Sequence, residues 1–334
     1  MHITESFTPD IVIPVTKVIT LEGEARSGKG TCARELRDTL EASGRRAKII
    51  DQGLKFRALT YLGLGEAAAT DIFNDQDRLA DFLVSPGTQV RMLELLGTVA
   101  DMKDEDKNEL LYSSDVSNAS RIVGQNPNSH PIAISLLFDE VFGHATNEVD
   151  TVLVDGRCME KYGRKMAEKH IAQYVMGFYV RCDSSVAATR SLGKIIDHKE
   201  MSLAQKDALL EEITRIRDRN RADTLRGIDA MREPHGAYAL SLHDFMTDCP
   251  DFVHGETLDA LLAGMVTLDT SYTKSISEMT GPVIALATHA LELQDKERER
   301  FASQPHLWES AALYGDPRRQ TISRLPQAVT RVAG

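Results

Sequence analysis

The sequence predicts an α/β fold in which a parallel sheet is covered by helices on both faces. Three observations carry that expectation. Short β-branched, apolar runs alternate along the chain with stretches whose apolar residues recur at helical spacing. One such run passes through a glycine loop directly into a helical pattern, between residues 18 and 40. A second, residues 151–157, stays apolar until it ends in Asp155-Gly156, the form of a buried parallel strand that meets a loop at its carboxyl end.

The first of these segments organises the rest. Gly23, Gly28 and Lys29 fit the spacing G-x-x-x-x-G-K, followed by Gly30 and Thr31. At that spacing, backbone N–H groups and the helix N-terminus surround phosphate oxygens, and the lysine adds positive charge. A β-branched strand immediately before the loop and an amphipathic helix immediately after it supply the context that the motif needs. The expected fold is that of the P-loop NTPases.

Further along, Ser43-Gly44 ends the first helix, and residues 47–50 read as a second strand ending in Asp51-Gln52-Gly53. Residues 54–65 and 71–83 have helical spacing, with Ser85-Pro86-Gly87 as punctuation. The charged stretch 103–109 reads as a solvated loop or a helix end. Residues 124–131 read as a loop, and 132–146 as a helix. After the Asp155 strand, residues 174–180 form another, followed by a helix capped by Ser184 or Ser185. A long helix spans about 203–222 and carries arginines at 215, 217, 219 and 221, which cannot share one face. Residues 265–268 make a last strand and about 276–298 a last helix. The stretch 235–264 reads as an insertion with a short helix near 256–263, and the polar tail holds the single tryptophan, Trp308.

With 334 residues, the chain can bury a large core. A formal charge of −11 argues against a general nucleic-acid or anionic-membrane surface, so any binding of phosphates depends on locally gathered Arg and Lys. The four cysteines, Cys32, Cys158, Cys182 and Cys249, show no C-x-x-C pair and read as free thiols of a reducing compartment. No signal-peptide pattern or membrane-spanning run is evident, so the expected location is cytoplasmic. The histidines show no H-E-x-x-H or similar spacing, and no structural metal is expected.

Five landmarks in order carry a family resemblance: Gly23 to Thr31; Asp51 to Arg57, similar to D-S-G-x-x-Y-R; the run 116–120, Val-Ser-Asn-Ala-Ser; Asp155-Gly156-Arg157; and the run 217–221, Arg-Asp-Arg-Asn-Arg. The chain resembles a divergent member of the bacterial-type cytidylate kinases, P-loop nucleoside monophosphate kinases that transfer a phosphoryl group from ATP to CMP or dCMP. The resemblance implies one kinase domain over residues 16–295, with an acceptor-binding segment at about 54–130, a mobile lid at about 187–226 and a family-atypical insertion at about 238–264. A tail would follow at 296–334.

The resemblance also implies roles. Gly23, Ser27, Gly28, Lys29, Gly30 and Thr31 would hold ATP, with Thr31 and Asp155 at Mg2+. Gln52, Arg57, Ser120, Cys158, Asp218 and Arg221 would contact the acceptor, and Lys29, Arg157, Arg217, Asp218 and Arg221 would serve the transfer. Departures gather on the acceptor side, where Gln52 stands for serine, Phe56 for tyrosine, Cys158 for the aspartate that recognises cytosine, Ser129 or His130 near the place of an arginine, and Thr214 for another arginine unless Arg215 or Arg217 substitutes. A thiol is a poor acceptor for an amino group. The expected partners are small nucleotides, in pyrimidine nucleotide metabolism. The alternatives are a kinase for another small acceptor and an ATP-binding regulatory protein that lost acceptor chemistry.

Overall fold

The computed structural model describes residues 16–193, 201–234, 236–240 and 256–303. Cys249, Trp308, the middle of the expected lid at 194–200, most of the insertion, and the tail beyond 303 lie outside the described residues.

Six strands form one sheet in the order β2-β3-β1-β4-β6-β5, every pairing parallel. They are β1 (Lys17–Gly23), β2 (Ala47–Asp51), β3 (Thr151–Asp155), β4 (Gln173–Arg181), β5 (Tyr238–Leu240) and β6 (Met265–Asp269). All seven residues of β1 are buried, as a central strand with both faces covered requires.

Alternation along the strands divides the apolar side chains between two cores. Ile19, Leu21 and Leu153 face one core with Leu36 of α1 (Lys29–Ala42) and Leu286 of the last helix. Val18, Val152 and Val154 face the other, with Leu137 and Val141 of α7 (Ser129–Thr146) and Tyr162 of α8 (Glu160–Glu168). Each fully buried side chain of this kind stabilises the fold by about 1.5–3 kcal/mol.

A separate helical layer lies over the carboxyl ends of β2 and β3. It comprises α2 (Gln52–Thr70), α3 (Gln76–Val84), α4 (Pro86–Ala100), α5 (Asp104–Leu111) and α6 (Ser114–Gln125). Leu59, Leu79, Leu83, Met92 and Val123 form its own core. The charged stretch at 103–109 is helical rather than a loop. Leu111 is its fully buried apolar residue, so periodicity was weak, yet acidic residues in a first turn favour a helix start. α7 starts at Ser129, three residues before the expected boundary, because Pro131 sits in the first turn, where no intrahelical donor is lost.

Beyond β4, α9 (Ser184–Ser191) is capped by Asp183, not by a serine: its carboxylate accepts from Ser185 N at 2.8 Å. α10 (Leu203–Leu225) begins with a capping box made by Ser202 and Gln205. The two helices pack through Ala187, Ala188 and Ile216 around Ala25 of the glycine loop. Residues 238–240 of the expected insertion form β5, the sheet edge beside β6. A strand of three residues offers too little pattern to be seen in sequence. α11 (Glu256–Ala263) and α12 (Ile276–Ser303) complete the chain order.

Candidate functional site

The glycine loop is held by backbone geometry that only glycine permits. Gly23 has φ 122, and a Cβ there would lie 2.2 Å from Val180 O. Gly28 has φ 100, and its Cβ would fall 2.4 Å from Met279 Sδ. The loop between them folds back on itself: Ser27 Oγ donates to Glu24 O at 2.9 Å, and Lys29 Nζ donates to the same carbonyl at 2.6 Å. Thr270, in the turn after β6, donates to Ser27 O at 2.9 Å and pins the loop from behind. Asn220 of α10 accepts from Ala25 N at 2.8 Å.

Lys29 is the first residue of α1 and lines a cavity of about 220 Å³ at the carboxyl ends of β1, β2 and β3. Its pKa is lowered, first by desolvation and then by the positive charge of Arg157; Asp155 opposes the shift. Asp155 lies against the first turn of α1, where a Cβ at Gly30 would be 3.4 Å from Asp155 Oδ2. Burial, then repulsion from Asp51, raises its pKa to about 6 against the pull of Lys29 and Arg157. The two aspartates are direct partners in the β2–β3 register. Asp51 also caps α2, accepting from Gly53 N at 2.8 Å, and its second oxygen accepts from Tyr112 Oη at 2.7 Å. Thr31 Oγ1 accepts from Arg34 Nη2 at 3.3 Å.

Of the acceptor-side residues expected from sequence, Gln52, Arg57 and Ser120 line the cavity. Arg57 is 8% exposed; its guanidinium donates to Leu111 O at 3.1 Å and stacks 4.1 Å from the Tyr112 ring centre. Ser120 donates to Ser117 O at 2.9 Å. Arg157 also lines the cavity, donating to Gly23 O at 2.9 Å and pairing with Asp223 at 3.0 Å.

Cys158 turns away from the cavity. It has φ 54, its thiol donates to Ala230 O at 2.8 Å, and burial pushes its pKa up to about 11. As a neutral thiol tied to backbone carbonyls, it makes no cavity contact in this arrangement.

The lid residues divide in the same way. Arg217, Asp218 and Arg221 are exposed and do not line the cavity, whereas Arg219, Asp223 and Arg226 do. The reason is rotation of about 100° per residue. The side of α10 that carries buried Glu212 and Ile216 also carries positions 219, 223 and 226, and positions 217 and 221 fall opposite. Arg219 is desolvated there, and its pKa is pushed down to about 9.

Sequence reasoning missed Arg26, Tyr112, Arg121, Arg219, Asp223, Arg226 and Asp229, all of which line the cavity. For α10 a signal existed: spacing of four and then three from Arg219 to Asp223 to Arg226 marks one helical stripe. Seven cationic side chains face four aspartates around the cavity, so a chain of net charge −11 gathers positive charge here.

No protein-family model matches the chain. Over 109 residues it is 29% identical to a cytidylate kinase from Geobacillus sp. (strain WCH70). The similar stretch covers 33% of this chain and 45% of that relative, so it spans less than half of the relative's length.

Proposed function

We propose that this protein transfers a phosphoryl group from ATP to a nucleoside monophosphate, with CMP or dCMP as the acceptor. The observation that carries the reading is a single cationic cavity with two differently built ends. One has Lys29 on a glycine loop, and the other has Arg57, Ser120 and Gln52 on the overlying helices. The partial similarity to a cytidylate kinase points the same way.

Phosphoryl transfer asks a protein for position and charge more than for covalent chemistry. In this reading the loop from Gly23 to Thr31 and Lys29 hold the donor phosphates, and Arg57 and Ser120 hold the acceptor. Arg157 and Arg219 are both close enough to depress the Lys29 pKa, which suits them to offset charge on the group in transit. Because 217, 218 and 221 face outward, we assign the work of the lid helix to Arg219, Asp223 and Arg226. The catalytic unit spans 16–295, with the acceptor segment at 54–130 and the lid at 187–226.

Asp155 and Thr31 offer a carboxylate and a hydroxyl at the first turn of α1, hard oxygen donors of the kind Mg2+ takes alongside its waters. When bound, the ion would draw charge from the donor phosphates. Among the described residues, Cys32, Cys158 and Cys182 are free, which fits a cytoplasmic setting. No described helix is long and apolar enough to cross a membrane.

The test is a coupled assay with Mg-ATP against all nucleoside monophosphates. Conversion of CMP or dCMP to the diphosphate is expected. Tight ATP binding with no turnover on any monophosphate would contradict the reading and favour a nucleotide-binding regulator.

A further inference from the structure

His130 stands where three parts of the molecule meet. It lies in the first turn of α7, is 5% exposed, and packs edge to face on Phe56 of α2, with ring centres 5.2 Å apart. Its Nε2 faces Gly124 O of α6 at 3.0 Å, and its Nδ1 faces Asp229 Oδ2, in the loop after α10, at 2.8 Å. One buried ring thereby spans from the helix that carries Ser120 and Arg121 to the loop that follows the lid helix.

Both partners of the ring are acceptors. A carbonyl oxygen can only accept, and Asp229 is already committed as an acceptor: Tyr162 Oη donates to its Oδ2 at 2.6 Å, and Lys161 of α8 pairs with Oδ1. The Lys161 ammonium favours the ionised carboxylate. A neutral imidazole has a single N–H, so in either tautomer one ring nitrogen sets its lone pair against an acceptor. Only the doubly protonated ring satisfies both contacts.

Other forces act against that second proton. Burial first, then the positive charges of Arg226 and Lys161, push the ring's pKa down, while the Gly124 carbonyl works in its favour. The titratable and charged groups around the ring and its carboxylate are therefore Lys161 and Tyr162 of α8, Arg226 at the end of α10, and Asp229 itself; α2 contributes the apolar Phe56. The loop has a backbone reason to need a tie, since Asp229 has φ 52, a left-handed conformation uncommon outside glycine. Its other ties run to backbone carbonyls: Cys158 Sγ donates to Ala230 O at 2.8 Å, and Met231 N donates to Asp223 O at 2.8 Å.

We propose that His130 is a positioning residue that acts as a proton-dependent clasp: with both nitrogens protonated it ties the loop after α10 to α6, and loss of one proton opens that tie. The clasp rests on the phosphoryl-transfer reading only for its consequence in turnover, where it sets the spacing between the lid helix and the helix that carries Ser120.

The experiment is ring-nitrogen NMR of His130 in the full chain carrying isotope-labelled histidine, with amide exchange at Met231 followed in parallel and no nucleotide present. Two ring N–H groups are expected at about pH 5, and one is lost as pH rises toward about 8. Protection of the Met231 amide should fall about tenfold over the same range. In Asp229→Asn, protection at about pH 8 should match or exceed that at about pH 5, because an amide can accept from Lys161 and donate to the neutral ring. A ring with a single proton throughout that range overturns the proposal, as does a ring that titrates while Met231 protection stays constant. Both results come from the parent protein, so they decide the matter even where the variant fails to fold. If the clasp titrates but no monophosphate is phosphorylated, the transfer reading alone fails. If CMP is phosphorylated and the ring stays neutral, the clasp alone fails.

Discussion

The two ends of the cavity are built in opposite ways. At the end near Lys29, nine consecutive residues from Gly23 to Thr31 pass from the central strand into α1, and the sheet register pairs Asp155 with Leu21, two residues before the loop. The rest of the cavity is assembled from residues on α2, α6, α7, α10 and the loop after α10. A contiguous loop carries its geometry in its own backbone, since positive φ at Gly23 and Gly28 leaves little choice of residue. A site gathered from five elements carries its geometry in the packing, and its side chains can change identity while the cavity persists. Gln52, which departs from the cytidylate kinase pattern, lies on that second side.

The contrast can be broken or sharpened by substitution. Lys29→Ala should give the largest effect, a fall in kcat of about a hundred- to a thousandfold or more. Because Lys29 is held in a desolvated setting, thermal unfolding should stay near that of the parent protein. Next, Arg219→Ala should lower kcat/KM by roughly ten- to a hundredfold, and Arg221→Ala by less than about threefold. Steady-state kinetics on the two variants decides this, and the reverse order would mean that α10 presents its other face during turnover.

A pH profile probes the carboxylate near Lys29. Asp155 has its pKa raised to about 6, so the neutral form persists up to that pH and the charge is gained as pH rises through it. Transfer at subsaturating Mg2+ should therefore fall as pH drops below about 6, and added Mg2+ should restore part of it. A flat profile from pH 5 to 8 would remove Asp155 from the cation's ligands. The smallest effect is expected at Cys158. Restoring an aspartate there, Cys158→Asp, would set a carboxylate against the carbonyls of Asp229 and Ala230, costing about 1–3 kcal/mol of stability and leaving base preference unimproved. Chemical denaturation and CMP titration measure both quantities.

What could be read from sequence follows the same division. The strand, glycine loop and helix were legible because the residues that make them are adjacent, and residues 151–155 were legible because burial on both faces leaves a continuous apolar run. The facing side of α10 was not. Arginines at every second position leave the inward face open until Glu212 and Ile216 are seen to pack. Asp229 lies in a polar stretch after a helix end, where no periodicity marks it, and its importance arises from contacts with residues 67 and 99 positions away. β5 and α5 were hidden for a simpler reason: one is three residues long, and the other buries too little to imprint a period.

The central claim is that one cavity brings a donor and an acceptor phosphate together. The most direct test is to supply ATP labelled at the γ-phosphate with Mg2+ and CMP, and to identify the labelled product by chromatography. The account predicts label in CDP, dependent on CMP and lost in Lys29→Ala. Label released as inorganic phosphate at the same rate with or without CMP would contradict it.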